Sequence, residues 1–120
     1  MQAPASSLAS CLEKFRSDTN AHPRIKTLLK GWNPTLVFES TDSGETFHAR
    51  VKDAALGELA PGAVEADHSI LLRATTANLI DIFSGRKNPA RAFLDAELEV
   101  FGTDKDQVKL DAIALILWGM

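Results

Sequence analysis

The N-terminal part of the chain carries apolar residues at helical spacing. Between positions 8 and 15 they recur at i, i+3, i+4 and i+7, which places them on one face of an amphipathic helix. Those residues are Leu8, Cys11, Leu12 and Phe15. We expect Ser6 or Ser7 to cap this helix. A second short helix is predicted to start at Pro23, with His22 before it, and to stop at Gly31.

The period then changes from helical to alternating. Residues 34–40 and 45–52 predict two strands, and the sequence Thr-Asp-Ser-Gly at positions 41–44 predicts a turn that joins them as a hairpin. In the second strand alternate side chains from Phe47 to Val51 are apolar, and those between them are polar. This alternation is typical of a sheet with one covered face and one solvated face.

Three further strands are predicted along the rest of the chain. Residues 56–59 indicate a short third strand, residues 67–74 a fourth and residues 97–101 a last one. Alternate apolar side chains in the last two strands, such as Ile70 and Leu98, are expected to point inward.

Two helices are predicted between the fourth strand and the last. The first is capped by Thr75 or its neighbour Thr76 and ends at Gly85. The second uses Asn88 as its cap and Pro89 as its first helical residue. Both helices carry apolar residues that can pack against the sheet.

The final helix, predicted from Asp104 to about Trp118, is apolar on more than one side. Its first turns are polar, and Thr103 with Asp106 forms a weak capping box at its start. Its last turns carry a second apolar face around Leu115, which a surface helix normally keeps polar. The rest of the domain, a partner subunit or a bound apolar molecule could cover that face, and the pattern does not separate these alternatives.

The order of elements predicts an α+β fold with an antiparallel or mixed sheet covered on one face by helices. A chain of 120 residues forms one domain on ordinary size statistics and can build a core without a metal or a disulfide. We expect N-terminal helices over about residues 6–31 and a core over about residues 34–118.

Charge and cysteine content narrow the classes of partner. The net charge of −3 and the scattered basic residues give no reason to expect a nucleic-acid partner. The single cysteine allows no internal disulfide, which fits a reducing cytoplasm. No stretch approaches the roughly 18 apolar residues that cross a membrane.

The chain lacks recognisable catalytic or metal-binding motifs. Its three histidines stand far apart, and neither a phosphate-binding loop nor a nucleophile elbow is present. Cys11 lies on an apolar stripe and is interpreted as a small core residue. We therefore predict no catalytic group, no metal and no cofactor. An enzyme acting on an apolar substrate would need a polar group inside, and the candidates are Thr35, Ser40, Asn78 and Asp81.

The segment 82–102 resembles the signature of the sterol carrier protein type-2 family. In that family a helix ending in Ser/Thr-Gly-basic leads into Asn-Pro and Ala-Phe, and a strand of the form Gly-x-Leu-x-Val/Ile-x-Gly follows. The matching residues here are Ser84-Gly85-Arg86, Asn88-Pro89, Ala92-Phe93, Leu98, Val100 and Gly102. The family's alanine-aspartate strand is similar to residues 66–72. One departure is Ala96, which stands where the family usually has glycine.

The resemblance implies a five-stranded, largely antiparallel (mixed) sheet covered on one face by helices, with an apolar tunnel between sheet and helices. It assigns the apolar stripes to the tunnel. The candidate lining residues are Phe38, Phe47, Leu79, Phe83, Phe93, Leu98, Val100, Ile113, Leu117 and Trp118.

The function that the resemblance implies is non-catalytic binding and transfer or presentation of an apolar ligand, such as a sterol, a fatty acyl chain or an acyl-CoA. Transient contact with a membrane or with a lipid-metabolising enzyme would accompany it. Two alternatives stay open: an interaction module that homodimerises through the apolar C-terminal helix, and a small enzyme of the isomerase or hydratase type.

Overall fold

The computed structural model describes residues 7–119. The first helix is described from Ser7 onward, so the predicted cap Ser6 lies outside the described residues and the alternative cap, Ser7, is itself helical. The helices are α1 (Ser7–Ala21), α2 (Pro23–Leu29), α3 (Thr76–Phe83), α4 (Pro89–Leu94) and α5 (Asp104–Trp118). The strands are β1 (Thr35–Ser40), β2 (Thr46–Lys52), β3 (Ala55–Leu56), β4 (Ala60–Pro61), β5 (Ser69–Ala74) and β6 (Glu99–Phe101).

Local capping explains where the helices start. The His22 side chain accepts a hydrogen bond from the backbone N–H of Arg24, and Asn88 accepts from the first turn of α4. Thr103 and Asp106 form the reciprocal capping box of α5 that the sequence predicts. In these places a polar side chain, and not tertiary packing, sets the helix boundary.

The strands form one mixed sheet in the order β3-β2-β1-β5-β6, with β4 pairing to β2. The predicted hairpin of β1 and β2 is present, with Phe38 opposite Phe47. The central strand β1 runs parallel to β5, and β6 closes the far edge antiparallel to β5. The parallel pair requires a crossover, which the chain between β2 and β5 supplies. The fold is therefore the predicted α+β class with a mixed sheet.

The predicted third strand is divided in two, and the fourth begins at Ser69 and not at residue 67. The predicted strand 56–59 is wrong in extent, because the chain pairs with β2 over Ala55–Leu56 and again over Ala60–Pro61. The turn before β3 consists of Asp53 and Ala54, which both have positive φ angles of 54° and 60°. A tight hairpin turn of this kind is usually marked by glycine, so its sequence gives no signal here.

The last strand is also shorter than predicted. The backbone N–H groups of Glu97 and Leu98 donate to the carbonyl oxygen of Ala92 at 2.8 and 3.2 Å. The end of α4 therefore satisfies these donors, and sheet pairing begins only at Glu99. Leu98 is nevertheless buried as expected.

The core lies between one face of the sheet and the helices. It includes Leu36 and Phe38 from β1 and Ile70 and Leu72 from β5, which are all at most 1% exposed. Helices α1 and α3 pack against each other on the helical side of this core. The opposite face of the sheet is not fully solvated, because Val37 on that face is also buried.

Candidate functional site

An apolar cavity of about 310 Å³ lies between the β5–β6 end of the sheet and helices α3, α4 and α5. This volume is at the lower end of the range for small-molecule sites, about 300–1,000 Å³. Its wall is formed by Phe15, Leu72, Ile82, Phe83, Pro89, Ala90, Phe93, Leu94, Leu98, Val100, Gln107, Leu110, Asp111, Ile113, Ala114 and Trp118. All but two of these side chains are apolar, so the cavity suits a hydrocarbon better than a polar solute.

Aromatic rings close the inner end of the cavity. The rings of Phe15 and Phe83 meet edge to face with centroids 5.0 Å apart, and the Trp118 ring lies 5.9 Å from Phe15. Phe83 also packs edge to face on Phe38, 5.2 Å away, in the core behind it. These contacts hold the Phe83 ring from two sides, so the inner end of the cavity has a well-packed wall.

The outer end of the cavity lies between α4 and α5. Phe93 and Leu94 are wall residues that are nevertheless 41% and 78% exposed, so they form an apolar rim in contact with water. Gln107 and Asp111 on α5 supply the polar side of the same rim. Burial raises the pKa of the Asp111 carboxyl, which means that the cavity mouth disfavours its negative charge.

The N-terminal half of α5 is fixed by polar contacts. Asp106 is 3% exposed, and its Oδ1 accepts hydrogen bonds from Trp32 Nε1 at 2.9 Å and His68 Nε2 at 3.0 Å. Lys109 Nζ donates to the carbonyl oxygen of Leu28 at 2.8 Å. The wall that α5 contributes is therefore attached to α2 and to the start of β5.

Desolvation and hydrogen bonding act in opposite directions on Asp106. Burial alone would raise the pKa of this carboxyl, but the hydrogen bonds from Trp32, Thr103 and His68 outweigh it and lower the pKa. Asp106 is thus a structural carboxylate with its lone pairs occupied. It does not line the cavity.

The structure brings some of the sequence-predicted lining residues together. Those in the cavity wall are Phe83, Phe93, Leu98, Val100, Ile113 and Trp118. The other predicted positions lie elsewhere: Phe38 and Leu79 fill the core at 1% and 0% exposure, and Phe47 packs at its edge. Leu117 lies in a separate groove between α1, α3 and α5.

Several wall residues are not among those predicted from the sequence. The sequence places Phe15 on the apolar stripe of α1 and does not indicate that it faces a cavity. Nothing in the pattern distinguishes an apolar side chain that fills the core from one that faces a gap. For Asp111 a signal exists, since it lies three residues before Ala114 and seven before Trp118, on the same side of α5.

Polar chemistry is sparse around the cavity. The four polar candidates for an enzyme, Thr35, Ser40, Asn78 and Asp81, are all outside its wall. Within residues 7–119 no group of three or more His, Cys, Asp or Glu side chains is placed to hold a metal ion. Over the same residues, no helix combines the length and the apolarity needed to span a bilayer.

Solved structures with the same fold are similar over most of this chain. A ubiquinone synthesis protein, UbiJ-SCP2, has a TM-score of 0.70 and 16% identity, covering 92% of this chain and 94% of that protein. The NMR structure of palmitated SCP2L2 from Aedes aegypti has a TM-score of 0.62 and 14% identity, covering 91% and 95%.

A larger protein contains the same fold as one part. The sec-alkylsulfatase Pisa1 from Pseudomonas sp. matches with a TM-score of 0.61 and 16% identity over 79% of this chain, which spans only 14% of the sulfatase. At these identities the likeness shows the fold alone. The search among curated proteins returned no match.

A sequence profile gives the family. The profile of the SCP-2 sterol transfer family matches residues 12–108, well over half of the chain. The matched residues run from α1 into the first turns of α5 and include the Asn-Pro segment that starts α4. The chain therefore belongs to the SCP-2 sterol transfer family.

Proposed function

We propose that this protein binds one acyl chain in the cavity between α4, α5 and the sheet, and carries or presents it without chemical change. The cavity itself is the observation that carries the proposal: it is apolar, closed by aromatic rings inside and bordered by exposed apolar residues outside. Family membership supports lipid or sterol binding and transfer in general. The palmitated relative supports an acyl chain as one such ligand.

The size of the cavity favours an acyl chain over a sterol. At about 310 Å³ the cavity is small for a rigid ring system. A single flexible chain can adapt its torsions to such a space and extend its polar head through the mouth. Acyl-CoA fits the same scheme, because only its acyl part needs to be enclosed.

Binding of this kind needs no catalytic group. Each methylene taken out of water contributes about 0.8 kcal/mol, and a bilayer offers nearly the same gain. A carrier therefore has only to match the bilayer approximately for exchange to be reversible. The exposed Phe93 and Leu94 at the mouth support transient contact with a membrane or a lipid-metabolising enzyme during loading.

A cavity-filling variant tests the proposal. Ala90 lies in the cavity wall, so Ala90→Leu should occupy the space of about three methylene groups and weaken the binding of dodecanoate at least tenfold. The matched control is Ala112→Leu on α5, which adds the same atoms outside the wall. Isothermal titration, with circular dichroism to confirm folding, measures both. Equal dodecanoate affinity in the two variants would contradict the proposal.

One observation favours a second function, homodimerisation through α5. Val108 and Leu115 are 66% and 59% exposed and lie seven residues apart, hence on one side of the helix. A second copy could cover this stripe. Sedimentation velocity of the wild type and of Leu115→Lys distinguishes the two functions, since only the dimer proposal expects a dimer that this substitution dissociates.

A further inference from the structure

A second depression lies directly behind the inner end of the cavity. It is an open groove of about 870 Å³ between α1, α3 and the last turn of α5. Its floor is apolar and includes Cys11, Ile80 and Leu117, and its rim is polar. Phe83 and Trp118 line both the cavity and the groove, so these two side chains form the wall between them.

The two partition residues differ in how deeply they are buried. Phe83 is 7% exposed and packs edge to face against both Phe15 and Phe38. Trp118 is only half-buried and is the last residue of α5, followed by the left-handed cap Gly119. No group within residues 7–119 accepts a hydrogen bond from its indole N–H. Packing alone therefore keeps both residues in place, and Trp118 is the less buried of the two.

Gly85 has no side chain and leaves the space that the Trp118 indole occupies. A Cβ atom at this position would lie 2.5 Å from Trp118 Cδ1, so any other residue would displace the ring. Gly85 also has a φ of +82°, which glycine adopts without strain. One glycine thus both ends α3 and allows the indole to close the passage between cavity and groove.

The charges at the groove rim already have partners. Lys14 Nζ lies 2.8 Å from Asp18 Oδ2, and Arg86 NH2 lies 3.1 Å from Asp81 Oδ1. Among the described residues that line the groove, Lys14 and Arg86 therefore each already face a carboxylate. The groove is better suited to receive the apolar end of a chain along its floor.

We propose that the Trp118 indole is the inner stop of the cavity and limits the length of hydrocarbon that the protein encloses. This inference rests on the proposed function and adds to it the residue that determines chain-length specificity. Removing the indole joins cavity and groove into one continuous path. A longer chain can then pass Phe83 and bury its distal methylenes against Cys11, Ile80 and Leu117.

The test is the dependence of affinity on chain length. Even-numbered alkanoates from octanoate to octadecanoate, kept below their micelle concentrations, are titrated calorimetrically into the wild type and Trp118→Ala. Each buried methylene tightens binding about fourfold. The wild type should stop gaining affinity at a shorter chain than the variant. Octanoate should bind both proteins equally, whereas hexadecanoate should bind Trp118→Ala about sixteenfold tighter, as two more buried methylenes would give.

Two further variants complete this test. Trp118→Leu retains an apolar side chain and carries the test if Trp118→Ala does not fold. Leu115→Ala changes an exposed residue of the same helix that lines neither cavity nor groove, and should keep the wild-type profile. Identical chain-length profiles in the wild type and the Trp118 variants would overturn the proposed stop and leave the carrier function intact. Absence of alkanoate binding to every protein would overturn both.

Discussion

At the scale of single residues, Asp106 is a buried polar side chain that holds α5 in place. It joins three segments that are distant in sequence, through hydrogen bonds from Trp32, His68 and the backbone N–H of Thr103. A buried carboxylate with these partners stabilises the fold, and an amide in its place turns one of the two acceptor oxygens into a donor that faces another N–H group. The position of α5, and with it one cavity wall, depends on this residue.

Asp106→Asn should lower the free energy of unfolding by about 1–3 kcal/mol at pH 7. Because the folded-state pKa of Asp106 is lowered, its stabilisation is present above its unfolded pKa of about 3.9 and is lost as the pH falls through the lower folded value. Urea denaturation from pH 7 to pH 2.5 should show the difference from the wild type narrowing below about pH 4.

The control for this prediction is Asp104→Asn, an exposed residue in the same first turn of α5. It should change stability by at most about 0.5 kcal/mol. The pKa of the Asp42 carboxyl is lowered to about 2, mainly by the hydrogen bond from the backbone N–H of Thr76. This carboxyl therefore remains ionised over most of the range from pH 7 to pH 2.5. A constant difference between Asp106→Asn and the wild type at every pH would contradict the assigned role.

Ala96 has a strained, left-handed backbone conformation. It stands where the family usually has glycine, and its φ is +60° in the structure. A left-handed backbone costs a residue with a Cβ about 1–2 kcal/mol. Ala96→Gly should therefore raise the free energy of unfolding by about 1 kcal/mol, measured by thermal and urea denaturation. Ala66→Gly, at a loop position with no positive φ, should not stabilise the protein, and an equal gain there would refute the explanation.

At the scale of elements, α1 is tied to the edge of the sheet by a side chain that acts as a strand partner. Asn20 Nδ2 donates to the carbonyl oxygen of Leu56, and the N–H of Leu56 donates to Asn20 Oδ1, both at 2.8 Å. The edge strand β3 has only two residues, so this amide supplies a large share of its hydrogen bonds. It also covers an edge that would otherwise be open to another chain.

Asn20→Ala should cost about 1–3 kcal/mol of stability, because it leaves the donor and the acceptor of Leu56 without partners. The effect should be local as well as global: hydrogen–deuterium exchange at the Leu56 amide should accelerate more than exchange in β1. Lys14→Ala, an exposed substitution on the same helix, is the control. Unchanged exchange at Leu56 in Asn20→Ala would show that the amide does not protect this edge.

The elements also show what the sequence could predict. Helix starts can be predicted because they depend on neighbouring residues, as in His22-Pro23 and Asn88-Pro89. The turn at Asp53-Ala54 cannot be predicted in this way. The pairing of β3 with β2 imposes positive φ angles there, and neither residue type is a strong signal for such angles. The second short strand, Ala60–Pro61, was hidden for a related reason, since proline is unusual in a paired strand.

At the scale of the whole molecule, the sheet and helices leave a gap where α4 and α5 meet the sheet. The existence of an apolar interior follows from periodicity, but the location of the gap does not. Phe38 and Phe83 belong to equally apolar patterns, yet Phe38 lies in filled core and Phe83 borders the cavity. Only the packing of α4 against α5 decides which side chains face a void.

The charge at the cavity mouth leads to a prediction about head groups. The Asp111 carboxylate should repel an anionic head emerging between α4 and α5, and its raised pKa shows that the site already disfavours the charge. Asp111→Asn should bind dodecanoate several-fold more tightly at pH 7, and should bind the uncharged 1-dodecanol as the wild type does. Asp104→Asn, which removes the same charge elsewhere on α5, is the control. If Asp111→Asn tightens the binding of dodecanoate and of 1-dodecanol equally, the head group does not lie near Asp111.

The most direct test of the central claim is an isotope-filtered NOE experiment on ¹³C-labelled protein with unlabelled dodecanoate. Binding of the chain in the cavity predicts contacts from the ligand methylenes to the cavity wall, at Phe93, Leu98 and Ile113, and none to the filled core at Leu36. Contacts confined to the exposed stripe of Val108 and Leu115, with none to the wall, would contradict it.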